Sequence, residues 1–144
     1  MPNEPRVGKK VLVVDDDELY LKVTERLLRS GGYEVVARSG VLGTSFVVSS
    51  ERPDVMLVDL NMPMVDGDRL VPLVTRGRFE PPYFSPYVVL YSGVDERALA
   101  RRAEECGADA SIPKGLVPKE FLARVAVCFT RAAAARELRE SRGG

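Results

Sequence analysis

Three short, Val-rich runs constrain this chain more than any other feature: KVLVV at Lys10–Val14, VMLV at Val55–Val58 and YVVLY at Tyr87–Tyr91. Each is almost continuously apolar, with no alternation of polar and apolar residues. A strand can afford that only when both of its faces are covered. Between the runs lie segments with helical spacing. Asp17–Ser30 carries Tyr20, Val23, Leu27 and Leu28 at that spacing and stops at Gly31-Gly32. Tyr33–Ala37 predicts a second strand. Val41–Ser50 predicts a weaker helix, with Ser39 as its N-cap and Arg52-Pro53 at its end. A loop over 60–67 leads into a short helix over 68–76, limited by Pro72, and then a Pro- and aromatic-rich loop over 77–86. Asp95–Cys106 predicts a helix ended by Gly107, Ala110–Ile112 a fifth strand, and Val117 the start of a last helix. Five strand–helix alternations with short links require crossover connections. The expected fold is therefore α/β, a parallel five-stranded sheet doubly wound with helices on both faces.

The chain is 144 residues long, about one domain on the usual scale of roughly 100–200 residues each. Residues 1–8 are polar and Pro-containing and are expected to be a flexible segment without a secretory signal. Residues 9–130 form the expected domain, and 131–144 a helical extension or linker stub. The 21 basic and 21 acidic residues cancel, so no global charge draws the chain to nucleic acid or an anionic membrane. No apolar run approaches the ~20 residues of a membrane span. The chain has no His, which excludes His-based triads, His zinc sites and a phosphohistidine carried by this chain. Cys106 and Cys128 make no CxxC and read as small buried thiols in a reducing cytoplasm.

Ligands in a doubly wound sheet bind at the carboxyl ends of the strands, near the switch point. Four of the five predicted strand ends carry a reactive group: Asp15 and Asp16, Asp59, Ser92, and Lys114. Three carboxylates gathered there repel one another, at about 4 kcal/mol for a pair 4 Å apart in an effective dielectric of 20. Either a carboxyl pKa rises or a cation enters. Oxygen ligands without His or thiolate suit a hard divalent ion such as Mg²⁺. Carboxylates beside such an ion, with an ammonium and a hydroxyl, are the equipment for phosphoryl transfer.

The stretches VLVVDDDE (Val11–Glu18), PDVMLVDLNMPMVDG (Pro53–Gly67), VVLYSG (Val88–Gly93) and GADASIPK (Gly107–Lys114) resemble the receiver domain of two-component response regulators, across about 120 residues. The resemblance implies a flavodoxin-like strand order 2-1-3-4-5. It implies Asp59 as phospho-acceptor, Mg²⁺ held directly by Asp16 and Asp59, through water by Asp15, and by the backbone carbonyl of Asn61. It also implies that Ser92 and Lys114 contact the phosphoryl group. The implied donor is a phosphohistidine on a histidine kinase or phosphotransfer protein, which fits a chain without His. The implied setting is cytoplasmic, with no enzymatic turnover beyond the chain's own phosphorylation and dephosphorylation.

Three places depart from the family's pattern. Gly115 follows Lys114 where Pro is usual, Ser111 stands where an aromatic ring three residues before the Lys is frequent, and the loop over 77–86 is long and aromatic, with Phe79, Tyr83 and Phe84 and with Tyr87 just beyond it. About a dozen residues follow the domain, too few for a helix-turn-helix. Output is therefore expected through contact with a downstream protein, not through direct nucleic-acid binding, and a homodimer is left open. The N-terminal domain of a longer regulator is an alternative. So is a degenerate receiver acting without phosphorylation, which Ser111 and Gly115 favour and the intact acids oppose. A haloacid-dehalogenase-like phosphatase would use Asp15 and Asp17 as its DxD, but needs a further acidic pair that Glu120 alone does not supply. Asp17 reads as a helix N-cap, Gly67 as a backbone requirement, and Arg131, Arg136, Arg139 and Arg142 as a solvated face offset by Glu137 and Glu140.

Overall fold

The structure, a computed structural model, describes residues 9–40, 44–59 and 86–143. Along the chain run β1 (Lys10–Val14), α1 (Glu18–Ser30), β2 (Glu34–Arg38), α2 (Thr44–Glu51) and β3 (Val55–Asp59). After residues 60–85 come β4 (Tyr87–Ser92), α3 (Glu96–Cys106), β5 (Ala110–Pro113) and α4 (Pro118–Gly143). The helix expected over 68–76, Asn61 and the aromatic loop up to Ser85 lie outside the described residues, as do the N-terminal segment and residues 41–43.

The five strands form one parallel sheet in the order β2-β1-β3-β4-β5. The chain leaves β1 for β2 on one side and returns to β3 on the other, so the switch point falls between β1 and β3. Asp15 follows β1 there, and Asp59 closes β3 beside it.

The apolar runs are continuous because both faces are covered, as the sequence predicts. Val11, Val13, Val55, Leu57, Val89 and Tyr91 pack with Leu21 and Leu28 of α1 and Phe121, Val125 and Phe129 of α4. The alternate residues Leu12, Val14, Met56, Val58, Val88 and Leu90 pack with Val47, Val48, Leu99 and Ala103 of α2 and α3. At ~1.5–3 kcal/mol per fully buried large apolar side chain, these two layers are the main source of stability.

Helix ends follow local chemistry. Asp17 and Asp95 cap α1 and α3, their carboxylates accepting from the N–H groups of Tyr20 and Ala98. Gly107 ends α3 with φ +85, a conformation that other residues rarely adopt. Two expectations shift. The face of α1 turned to the core is Leu21, Thr24 and Leu28, whereas Val23 is exposed, because the buried stripe runs one residue ahead of it. Cys128 is buried and Cys106 only half-buried, and the two are not joined in a disulfide.

The last helix continues without a break past residue 130. Ala132 is buried in the core, and the Arg136 guanidinium pairs with the Asp54 carboxylate at the foot of β3. Arg136 is thus anchored and does not belong to a solvated face. Among the described residues no helix is long and apolar enough to cross a membrane.

Candidate functional site

Four strand ends deliver the site. The backbone N–H of Asp15 donates to the Arg38 carbonyl at 3.1 Å, which extends β1's pairing by one residue and buries the Asp15 side chain. One Asp15 oxygen accepts from the Asp17 N–H at 3.0 Å, and the other from Lys114 Nζ at 2.8 Å. Asp16, the next residue, is exposed. Asp59 is buried, and its Oδ1 lies 3.8 Å from Lys114 Nζ. Carboxylate oxygens of Asp15, Asp16 and Asp59 all lie within 4.8 Å of one another.

Ser92 is buried at the end of β4, its Oγ accepting from the Val94 N–H at 3.4 Å. Its carbonyl accepts from the Lys114 N–H at 2.7 Å, which ties the end of β5 to the end of β4. Lys114 is brought across the sheet by that bond, because β5 lies two strands from Asp59.

The donor set fits a hard divalent cation. Three carboxylates against one ammonium leave a formal charge of −2, and the oxygens are close enough to share one ion. Of the predicted site residues, Asp15, Asp16, Asp59 and Lys114 therefore come together, Ser92 stands at the adjoining strand end, and Asn61 falls outside the described residues.

Two tyrosines at the site escape the sequence reading. The Lys114 ammonium lies 4.5 Å from the Tyr20 ring centroid and 5.5 Å from that of Tyr91. Tyr91 O–H donates to the Tyr20 hydroxyl at 3.3 Å, and the rings meet at 5.9 Å between centroids. Burial, then the bond to Tyr20, pushes the Tyr91 phenol far above its ordinary value, so it remains a donor. Tyr20 reads in sequence as one more apolar helix position. The signal available was its place one turn after Asp16, and that of Tyr91 immediately before Ser92.

Comparison with known proteins identifies the family and the fold. The family model for the response regulator receiver domain matches residues 11–126. The transcriptional regulatory protein PrrA of Mycobacterium tuberculosis is 34% identical over 122 residues, covering 85% of this chain and 50% of that protein. The alkaline phosphatase synthesis transcriptional regulatory protein PhoP of Bacillus subtilis is 27% identical over 125 residues, covering 87% of this chain and 50% of that one. This chain thus spans about half the length of these curated relatives. Among solved structures, the BeF3-activated N-terminal receiver domain of Klebsiella pneumoniae RstA superposes with a TM-score of 0.71 at 26% identity, over 83% of this chain and 97% of that one. A CheY-like receiver domain from Methanospirillum hungatei shares the fold, with a TM-score of 0.74 at 23% identity, over 88% of this chain and 98% of that one.

Proposed function

Because the chain belongs to the response regulator receiver domain family, we propose that it is a phospho-acceptor switch whose Asp59 takes a phosphoryl group from a phosphohistidine on a partner histidine kinase or phosphotransfer protein. The observation that carries this reading is the cluster itself: oxygens of Asp15, Asp16 and Asp59 within 4.8 Å, with the Lys114 ammonium 3.8 Å from Asp59.

The step is an in-line displacement. An Asp59 oxygen forms a bond to phosphorus as the P–N bond to the donor imidazole breaks, and the imidazole nitrogen takes a proton from solvent. Asp16 and Asp59, with the backbone carbonyl of Asn61, are the proposed direct ligands of Mg²⁺. Asp15 acts through water, in keeping with both its oxygens already accepting hydrogen bonds. When bound, Mg²⁺ supplies positive charge against the phosphoryl oxygens. Lys114 neutralises a further oxygen, and the Ser92 hydroxyl turns from the Val94 N–H to donate to another. The new charge alters the loops around the site, and output follows through contact with a downstream protein in the cytoplasm.

The test is incubation with Mg²⁺ and a small phosphodonor, followed by intact mass. One phosphoryl group is expected on the wild-type protein and none on Asp59→Asn. Amide NMR with beryllofluoride should move resonances near Ser92. An unmodified mass together with an unchanged spectrum favours a receiver that works without phosphorylation, the reading that Ser111 and Gly115 support.

A further inference from the structure

The proposed chemistry uses Lys114, which Asp15 holds by its ammonium and the Ser92 carbonyl by its backbone N–H. Tyr20 touches this segment twice. Its ring lies 4.5 Å from the Lys114 ammonium, and its hydroxyl accepts the Gly115 N–H at 3.2 Å. The same hydroxyl is fixed from behind by Tyr91 O–H at 3.3 Å. Tyr91 in turn is wedged against Phe121 of α4, with 5.6 Å between centroids. A chain of contacts therefore runs from the ammonium through α1 and β4 to α4.

This arrangement answers two departures in the sequence together. Gly115 has φ +91. Proline, held near φ ≈ −65° and lacking an N–H, could neither take that conformation nor donate to Tyr20. Ser111 cannot supply a ring, and the aromatic surface near the site comes from Tyr20 and Tyr91 instead. The face of a tyrosine ring attracts an ammonium without binding it as a carboxylate does. Lys114 is thus steadied where it can exchange Asp15 for a phosphoryl oxygen on Asp59.

We infer that Tyr20, fixed by Tyr91, is the positioning residue for Lys114 and the Gly115 turn. The inference rests on Lys114 being the phosphoryl-binding cation. Two variants separate its parts. Tyr20→Phe keeps the ring and loses the acceptor, whereas Tyr20→Leu loses both.

Phosphoryl uptake from a small phosphodonor in saturating Mg²⁺ is expected to slow about fivefold in Tyr20→Leu, the scale of one lost cation–π contact, and to recover most of its rate in Tyr20→Phe. In the unphosphorylated protein, the Lys114 side-chain methylene resonances, shifted by the ring current, should move in Tyr20→Leu and hold in Tyr20→Phe. The Gly115 amide should exchange faster in both. A purely structural role would change thermal stability without this division between ring and hydroxyl. Unchanged Lys114 resonances in Tyr20→Leu, or a Gly115 amide equally protected in Tyr20→Phe, would overturn the inference. Should the wild-type protein take no phosphoryl group, the phospho-acceptor reading fails, and the two NMR signatures still decide the role of Tyr20.

Discussion

Arg136 of α4 pairs with Asp54 at the foot of β3, across 82 positions of sequence. Asp54 also accepts from the Lys10 N–H through its other oxygen, at 3.2 Å, and its carbonyl accepts from the Tyr87 N–H at 2.9 Å. One residue therefore joins β1, β4 and the tail of the last helix at the end of the sheet opposite the acids. The pair is partly shielded, with side-chain exposures of 29% for Arg136 and 11% for Asp54, which puts it above an ordinary surface ion pair. A double-mutant cycle of Arg136→Met and Asp54→Asn in urea is expected to give a coupling of about 1 kcal/mol. Additive single and double mutants would show that the helix tail contributes nothing through this contact.

Replacing Lys114 with Met leaves buried Asp15 and Asp59 without their shared counter-charge. Breaking a shielded pair by removing one partner is costly, and a loss of about 2–3 kcal/mol at neutral pH is expected in chelator. Added Mg²⁺ should restore much of it, because the cation takes over the neutralising role. Phosphoryl uptake should still fall at least tenfold, since the ammonium also serves the transferring group. Denaturation midpoints with and without Mg²⁺ check the first part, and mass spectrometry over time the second. Equal destabilisation in chelator and in Mg²⁺ would contradict a cation site at these acids.

Much of this site is legible in the sequence, and the reason is physical. A parallel sheet covered on both faces shows itself as continuous apolar runs, and its chemistry must stand where those runs end. Asp15, Asp59, Ser92 and Lys114 could each be placed by that rule alone. The Tyr20–Lys114 contact could not, because it joins the first turn of α1 to the end of β5, a proximity that arises only when the sheet closes. Arg136 misled for a related reason. In a tail with alternating charges it looked solvated, and its partner lies at the far end of a strand. Val23 misled because several helical phases fit the same apolar residues, and packing chose the one centred on Leu21, Thr24 and Leu28.

Asp17 completes the acidic triplet yet serves α1. Its carboxylate accepts the Tyr20 N–H at 3.1 Å, and its own N–H orders Asp15. Asp17→Ala removes the cap and leaves the backbone donor, so stability should fall by about 1 kcal/mol. Asp17→Asn should keep most of it, since Asn caps nearly as well. Mg²⁺ affinity, measured by titration, should change less in either variant than in Asp16→Asn. A loss of affinity as large as that of Asp16→Asn would make Asp17 part of the cation site.

Alkaline pH offers a test of the core beneath the sheet. Burial pushes the Cys128 thiol up to about 11 from an ordinary 9.0, with Asp109 adding to the rise and Arg131 opposing it. Between those values the unfolded chain releases a proton that the folded one keeps. Stability attributable to the neutral thiol is therefore fully present below pH 9 and is lost as pH rises toward 11, at up to ~1.4 kcal/mol per pH unit. Tyr33 and Tyr87, whose phenols burial also raises, act in the same direction at higher pH. Cys128→Val removes the thiol's share while keeping an apolar side chain. From pH 8 to pH 10 the wild-type protein is expected to lose about 1 kcal/mol more than Cys128→Val, read from urea midpoints at each pH. Parallel pH profiles for the two proteins would mean that the thiol titrates normally and that water reaches this part of the core.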